Sequence, residues 1–153
     1  MKRDKDYTLW LLLNRTQKKM EELRKMELRP HGITTTEALA LFSIESIGNV
    51  ATPAEISRRM FRKPHTVSTL LLRMENRGLV NRDHNLNREN LVGITLTDKG
   101  QRDYRASLKR ESIHRVISVL SEEERRQLVA CLEKLRETAS QLGLEWRLKG
   151  EAA

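Results

Sequence analysis

A single cysteine, Cys131, stands in 153 residues, so no disulfide can form within the chain and a reducing compartment is expected. No apolar run approaches the roughly 18 residues that a membrane span needs. The polar start Met1-Lys2-Arg3-Asp4-Lys5-Asp6 does not read as a signal peptide. A cytoplasmic protein is expected. No glycine-rich stretch offers a cradle for nucleotide phosphates, and neither Ser57 nor Ser68 sits in a nucleophile motif. The carboxylates fall mainly in helix caps and on polar helix faces, so no enzyme is expected. The four histidines (31, 65, 84 and 114) are scattered, without a close pair or a thiolate partner. No structural metal and no cofactor are expected, and internal repeats and low-complexity tracts are absent.

Positive charge is what the chain has in excess. Lys plus Arg number 29 against 21 Asp plus Glu, a formal net charge of +8. That balance favours a polyanionic partner such as nucleic acid, or serves solubility alone. The chain is organised around Thr52 to Gly100. Thr52-Pro53-Ala54-Glu55 is a helix start: Thr52 accepts from the third amide, Glu55 reaches back, and Pro53 fits the first helical position. Ile56 and Met60 give that helix an apolar edge. Pro64 opens a second helix with Val67, Leu70, Leu71 and Met74 at helical spacing, and Gly78 reads as its left-handed cap.

Upstream, Tyr7 to about Leu28 forms a helix with Leu9, Leu12, Leu13, Met20 and Leu23 in three- and four-residue steps, ended by Arg29-Pro30-His31-Gly32. Thr34-Thr35-Thr36-Glu37 repeats the capping box and starts another, with Ala38, Leu41, Phe42, Ile44 and Ile47 inward and Gly48-Asn49 at its end. Beyond Gly78 the period changes. Leu79 to Arg82 and Leu91 to Leu96 are short and β-prone around a polar stretch, which predicts a hairpin. Thr97-Asp98 then caps one long helix through about Leu120. Ser121-Glu122-Glu123-Glu124 opens the last helix, with the seam Leu128, Cys131, Leu132, Leu135, Ala139 and Leu142 and a cap at Gly143. On that seam Cys131 is expected to be a buried, inert thiol, the alternative being an oxidant sensor.

This order resembles the MarR family of winged-helix regulators over nearly the whole chain. The matches are Glu55-Ile56-Ser57 spaced to Thr66-Val67-Ser68, then Arg77-Gly78-Leu79-Val80, then Leu96-Thr97 with Gly100. The resemblance implies a mainly α (α+β) fold, a winged helix-turn-helix with a two-stranded wing and long N- and C-terminal dimerisation helices. Residues 34–100 would be the DNA-binding lobe, with 7–28 and 101–143 the helical dimerisation lobe of a single chain, 1–153. Two positions depart from the family pattern. Phe61-Arg62 stands where the turn usually has a small residue, often glycine, followed by an apolar one. Asn85-Leu86-Asn87-Arg88 stands where the wing usually pairs an aspartate with its arginine.

A helix of this diameter fits the major groove, where base edges carry distinct donor and acceptor patterns. His65, Ser68 and Thr69 are assigned to base reading, and Thr66 and Arg73 to phosphate, with Arg82 and Lys99 as supporting phosphate contacts. Arg88 is assigned to the minor groove. The terminal helices carry more apolar surface than a winged three-helix bundle can cover. It is buried either between the first and last helices of one chain or, as the resemblance implies, in a two-fold dimer on a pseudopalindrome. The resemblance also implies a small, commonly aromatic or phenolic, anionic effector. Trp10, Arg15 and His31 are its candidate contacts, although each equally suits an ordinary structural place. The expected function is a sequence-specific double-stranded DNA-binding regulator, a ligand-responsive repressor acting as a homodimer. The alternatives are a winged-helix protein-interaction module and a sequence-tolerant architectural DNA binder.

Overall fold

The computed structural model describes residues 4–48, 50–86 and 91–150. In chain order it has α1 (Lys5–Leu28), a 3-10 turn (Arg29–His31), α2 (Thr35–Ile47), α3 (Pro53–Met60) and α4 (Pro64–Asn76). A hairpin of β1 (Val80–Leu86) and β2 (Leu91–Leu96) follows, then α5 (Asp98–Ser107), α6 (Glu111–Ile117) and α7 (Glu122–Gly150). Two compact units divide at residue 113, Met1–Ile113 and His114–Ala153. No described helix is long and apolar enough to cross a membrane.

The first unit is built on the α2–α3–α4 bundle. Ala40, Leu41 and Ile44 from α2, Ile56 and Met60 from α3, and Val67, Leu70, Leu71 and Met74 from α4 form one core, closed by Ala51, Leu79, Val80 and Ile94. Both capping boxes form as the sequence predicts. Thr34 and Thr52 each accept from the amide three residues on, while Glu37 and Glu55 return to the Thr34 and Thr52 amides at 2.8 Å and 2.9 Å. The hairpin is antiparallel, with Val80 opposite Leu96 and Arg82 opposite Ile94, and its register shifts between Asp83 and Leu86. Ala51 joins β2 through one isolated antiparallel bridge, exchanging backbone hydrogen bonds with Ile94 at 3.1 and 2.8 Å.

Gly100 explains why Leu96-Thr97-Asp98-Lys99-Gly100 is a unit. A Cβ at Gly100 would lie 2.0 Å from the Leu79 carbonyl oxygen, so only glycine lets α5 start this close to the β1 entrance. Thr97 fixes that approach: its hydroxyl accepts from the Gly100 amide at 3.0 Å and donates to the Gly78 carbonyl at 2.6 Å.

Several expectations need correction. The helix opened by Asp98 does not run to Leu120; it ends at Ser107, and α6 begins at Glu111. Arg110 turns the chain in the left-handed region (φ 49°) with its guanidinium 5.0 Å over the Phe42 ring. Phe42 is therefore a surface residue of α2, not an inward one. The Glu27 carboxylate accepts the Glu111 amide at 2.7 Å and the Ser112 hydroxyl, which satisfies the start of α6. The last helix does not stop at Gly143 but continues to Gly150. Glycine inside a helix costs only about 1 kcal/mol, and Leu144-Glu145-Trp146-Arg147 continue the helix well. β1 extends to Leu86, into the stretch read as polar connection, and α1 starts two residues earlier than Tyr7, on an Asp4 cap. Cys131 is exposed in the isolated chain, not buried.

Candidate nucleic-acid interface

The site is the outer face of α4 with the turn before it and the hairpin after it. Val67, Leu70, Leu71 and Met74 lock one side of α4 into the core. By helical periodicity this turns His65, Ser68, Thr69, Leu72, Arg73 and Asn76 outward, and all six are exposed. Thr66 is exposed on the first turn. The Thr69 hydroxyl donates to the His65 carbonyl at 3.1 Å, so toward a ligand it presents lone pairs.

The start of α4 differs from that of its neighbours. The described helices α1, α2, α3, α5, α6 and α7 begin on side-chain acceptors, from Asp4, Thr34, Thr52, Thr97, Glu27 and Ser121 respectively. α4 begins on Lys63, which gives no side-chain cap, with Pro64 at the first position. Its first amides thus keep their hydrogen-bonding capacity beside a cation, a setting that suits a phosphate oxygen. Arg58, Arg59, Arg62 and Lys63 are exposed around it. Arg58 and Arg59, with Ser46, Ile47 and Glu55, line a groove of about 480 Å³.

Two supporting cations are engaged within the fold. Arg82 is half-buried and reaches the Glu75 carboxylate at 3.5 Å, and Lys99 donates to the Arg77 carbonyl at 2.9 Å. Arg73 points outward from the C-terminal half of α4. Arg88 lies outside the described residues. Trp10 stacks on Tyr7 with ring centroids 5.6 Å apart, and Trp10, Arg15 and His31 are all exposed. A groove of about 550 Å³ opens at the α1–α2 corner, lined by Glu22, Lys25, Met26, Arg29, Gly32, Ile33 and Thr34. Trp10, Arg15 and His31 are not among its lining residues.

Sequence reasoning missed the tie that orients α4. Arg77, at the C-cap of α4, pairs with the buried Glu37 carboxylate and donates to the Gly32 carbonyl at 2.5 Å. Burial works to raise the Glu37 pKa, but the Thr34 amide and the Arg77 guanidinium outweigh it and hold the carboxyl below its usual range. The partners are 40 residues apart, and the only signal was Arg77 within the motif Arg77-Gly78-Leu79-Val80.

A sequence model of the MarR family matches residues 31–86, which span α2, the helix-turn-helix and β1. The chain is 31% identical over 121 residues to the HTH-type transcriptional repressor MdtR of Bacillus subtilis (strain 168), covering 78% of this chain and 76% of that protein. Among solved structures, the S. aureus MepR–DNA complex superposes with a TM-score of 0.78 at 25% identity, covering 89% of this chain and 99% of that one. The organohalide-sensing regulator RdhR-CbdbA1625 in its ligand-free form has the same fold, with a TM-score of 0.84 at 24% identity, covering 92% of this chain and 84% of that one. With the MdtR identity extending over three quarters of both chains, and with an exposed, polar α4 followed by a hairpin wing, this chain belongs to the MarR family and is a winged-helix DNA-binding transcription regulator.

Proposed function

We propose that the protein is a ligand-responsive cytoplasmic repressor, without enzymatic activity, that binds a pseudopalindromic operator as a homodimer. The observation that carries this reading is the outer face of α4: exposed hydrogen-bonding side chains on a helix whose N-terminus has no side-chain cap. In it His65, Ser68 and Thr69 read base edges, and Thr66 and Arg73 hold phosphates with weaker support from Arg82 and Lys99. Arg88 enters the minor groove. Residues 34–100 act as the DNA-binding lobe and residues 7–28 and 101–143 as the dimerisation lobe. Two-fold symmetry sets the two α4 helices roughly 34–36 Å apart, one turn of DNA. The named activity of MdtR supports repression, and the MepR complex supports DNA as the partner. The proposed effector is a small aromatic or phenolic anion, with Trp10, Arg15 and His31 as its candidate contacts.

The test is selection of bound duplexes from a random pool, repeated with Ser68→Ala, Thr69→Ala and Arg88→Ala. The wild type is expected to enrich a two-half-site motif, and the variants to relax it. Should the three variants recover the same motif with unchanged affinity, base reading by this helix and wing is wrong. The architectural alternative makes the opposite forecast: a steep salt dependence with little preference among duplexes, whereas base reading adds roughly 4–10 kcal/mol for the right site.

A further inference from the structure

The two ends of α4 are held differently. Its start, on Lys63, has no side-chain cap. At its finish, polar contacts from several elements converge. Arg82 of β1 reaches Glu75 at 3.5 Å, Lys99 of α5 donates to the Arg77 carbonyl at 2.9 Å, and the Thr97 hydroxyl donates to the Gly78 carbonyl at 2.6 Å. The Arg77 guanidinium reaches furthest across the fold. One nitrogen donates to Oε1 of the buried Glu37 carboxylate, and the other to the Gly32 carbonyl at 2.5 Å. One side chain thus spans the left-handed Gly32 (φ 66°), which ends the 3-10 turn, and the first turn of α2. The capping box of α2 uses the other Glu37 oxygen, Oε2, which accepts the Thr34 amide at 2.8 Å and the Thr34 hydroxyl at 3.1 Å. α3 closes the same box through Glu55 Oε2, so the box in itself does not call for an arginine.

What the fork adds is direction. Val67, Leu70, Leu71 and Met74 press α4 onto the core along one apolar stripe. Apolar burial is non-directional, so the stripe fixes the depth of the helix better than its heading. Charge-assisted hydrogen bonds from a planar guanidinium are directional. His65 lies twelve residues before Arg77, roughly 18 Å along a helix axis. A swing of about 5° about the tied end would move it by roughly 1.5 Å. Hydrogen-bond lengths spread over only about 0.5 Å. The short side chains of Ser68 and Thr69 cannot follow such a swing, whereas the flexible stems of Arg and Lys can still find a phosphate. We infer that Arg77 is a positioning residue for base discrimination: by forking Glu37 and Gly32 it fixes the heading of α4 and so determines which duplex the helix reads, without touching DNA itself. This rests on the base-reading role proposed for α4.

The test uses the full-length protein, the duplex it selects and a scrambled duplex of the same composition, with affinities measured over a range of salt and below each variant's melting transition. Arg77→Ala and Glu37→Gln are each expected to weaken the selected duplex about tenfold and to leave the scrambled duplex, with its salt slope, as in the wild type. Arg77→Lys keeps the charge but cannot hold both acceptors in one fork, so it should recover only part of the discrimination. Arg77→Ala also leaves a buried carboxylate short of a partner and lowers the melting temperature. The double variant Arg77→Ala/Glu37→Gln should regain melting temperature and not discrimination. Discrimination that returns with stability marks a purely structural role and overturns the inference. Equal losses on both duplexes, with a salt slope reduced by about one and restored by Lys, make Arg77 a phosphate contact and overturn it as well. A motif that Arg77→Ala reads unchanged overturns the inference alone, whereas a wild type that enriches no duplex overturns the base-reading role of α4 and this inference with it.

Discussion

The winged lobe and α7 have similar apolar residues and use them oppositely. In the winged lobe Leu41, Ile56, Val67, Leu71, Met74, Leu79 and Ile94 are almost wholly removed from water within one chain. In α7, 29 residues long, Leu128, Leu132, Leu135 and Leu142 each keep at least 40% of their surface, and Leu144 and Trp146 keep more. The three- and four-residue spacing that builds a core in α4 builds an uncovered stripe in α7. A helix with one apolar stripe gains most of its stability from whatever packs on that stripe. The difference shows where a single chain finishes its own folding and where it offers surface for another helix, which supports the proposed dimerisation lobe. The exposure of Cys131 on α7 belongs to the same stripe.

The sharpest way to break this contrast is to truncate one leucine on each side. Leu71→Ala should cost about 2–5 kcal/mol of unfolding free energy, as buried leucines do. Leu132→Ala should cost the monomer at most about 0.5 kcal/mol while weakening self-association measured by sedimentation. If both lower monomer stability equally, or if Leu132→Ala leaves association untouched, the contrast fails. Next in size is Gly100→Ala. The new Cβ meets a carbonyl oxygen, not a yielding side chain, so α5 must shift, at about 1–3 kcal/mol in denaturant unfolding. A cost near zero would show that the α5 start is looser than the winged core it closes.

An effect of similar size, but confined to one pH window, concerns the place where α1 meets the start of α6. Glu27 is held at a pKa of about 2: burial opposes this, but hydrogen bonds from Ser112, Arg24 and the Glu111 amide, with the Arg24 charge, prevail. A carboxyl depressed by folding stabilises above its unfolded pKa and loses that contribution as pH falls through the folded value. The loss is therefore expected between about pH 4.5 and pH 2. Glu27→Gln should cost about 1–3 kcal/mol at neutral pH and flatten the acid limb in that window. An unchanged pH profile would detach Glu27 from the joint.

What was legible in the sequence is what short-range chemistry decides. Thr34 and Thr52 announced their helices because a cap and its partner lie three residues apart. The outward face of α4 followed from the spacing of Val67, Leu70, Leu71 and Met74. The break at Arg110 was illegible because no glycine or proline marks it; Glu27 and the Phe42 ring, far away in sequence, stabilise it. Gly143 misled because glycine is tolerated inside a helix whose following residues favour helix. At the site, the positions of His65, Ser68, Thr69 and Arg73 could be read from periodicity. The Arg82–Glu75 and Arg77–Glu37 pairs could not, because they depend on how α4 is laid against its neighbours.

The single rung between Ala51 and Ile94 has a mechanical consequence. It ties the hairpin at its root to the link between α2 and α3. Under the proposed DNA-binding role, residues inserted or removed between Leu86 and Leu91 are expected to change the reach of the wing and to leave the seating of α4 as it was. Reach and seating would then be separately adjustable parts of the proposed reader.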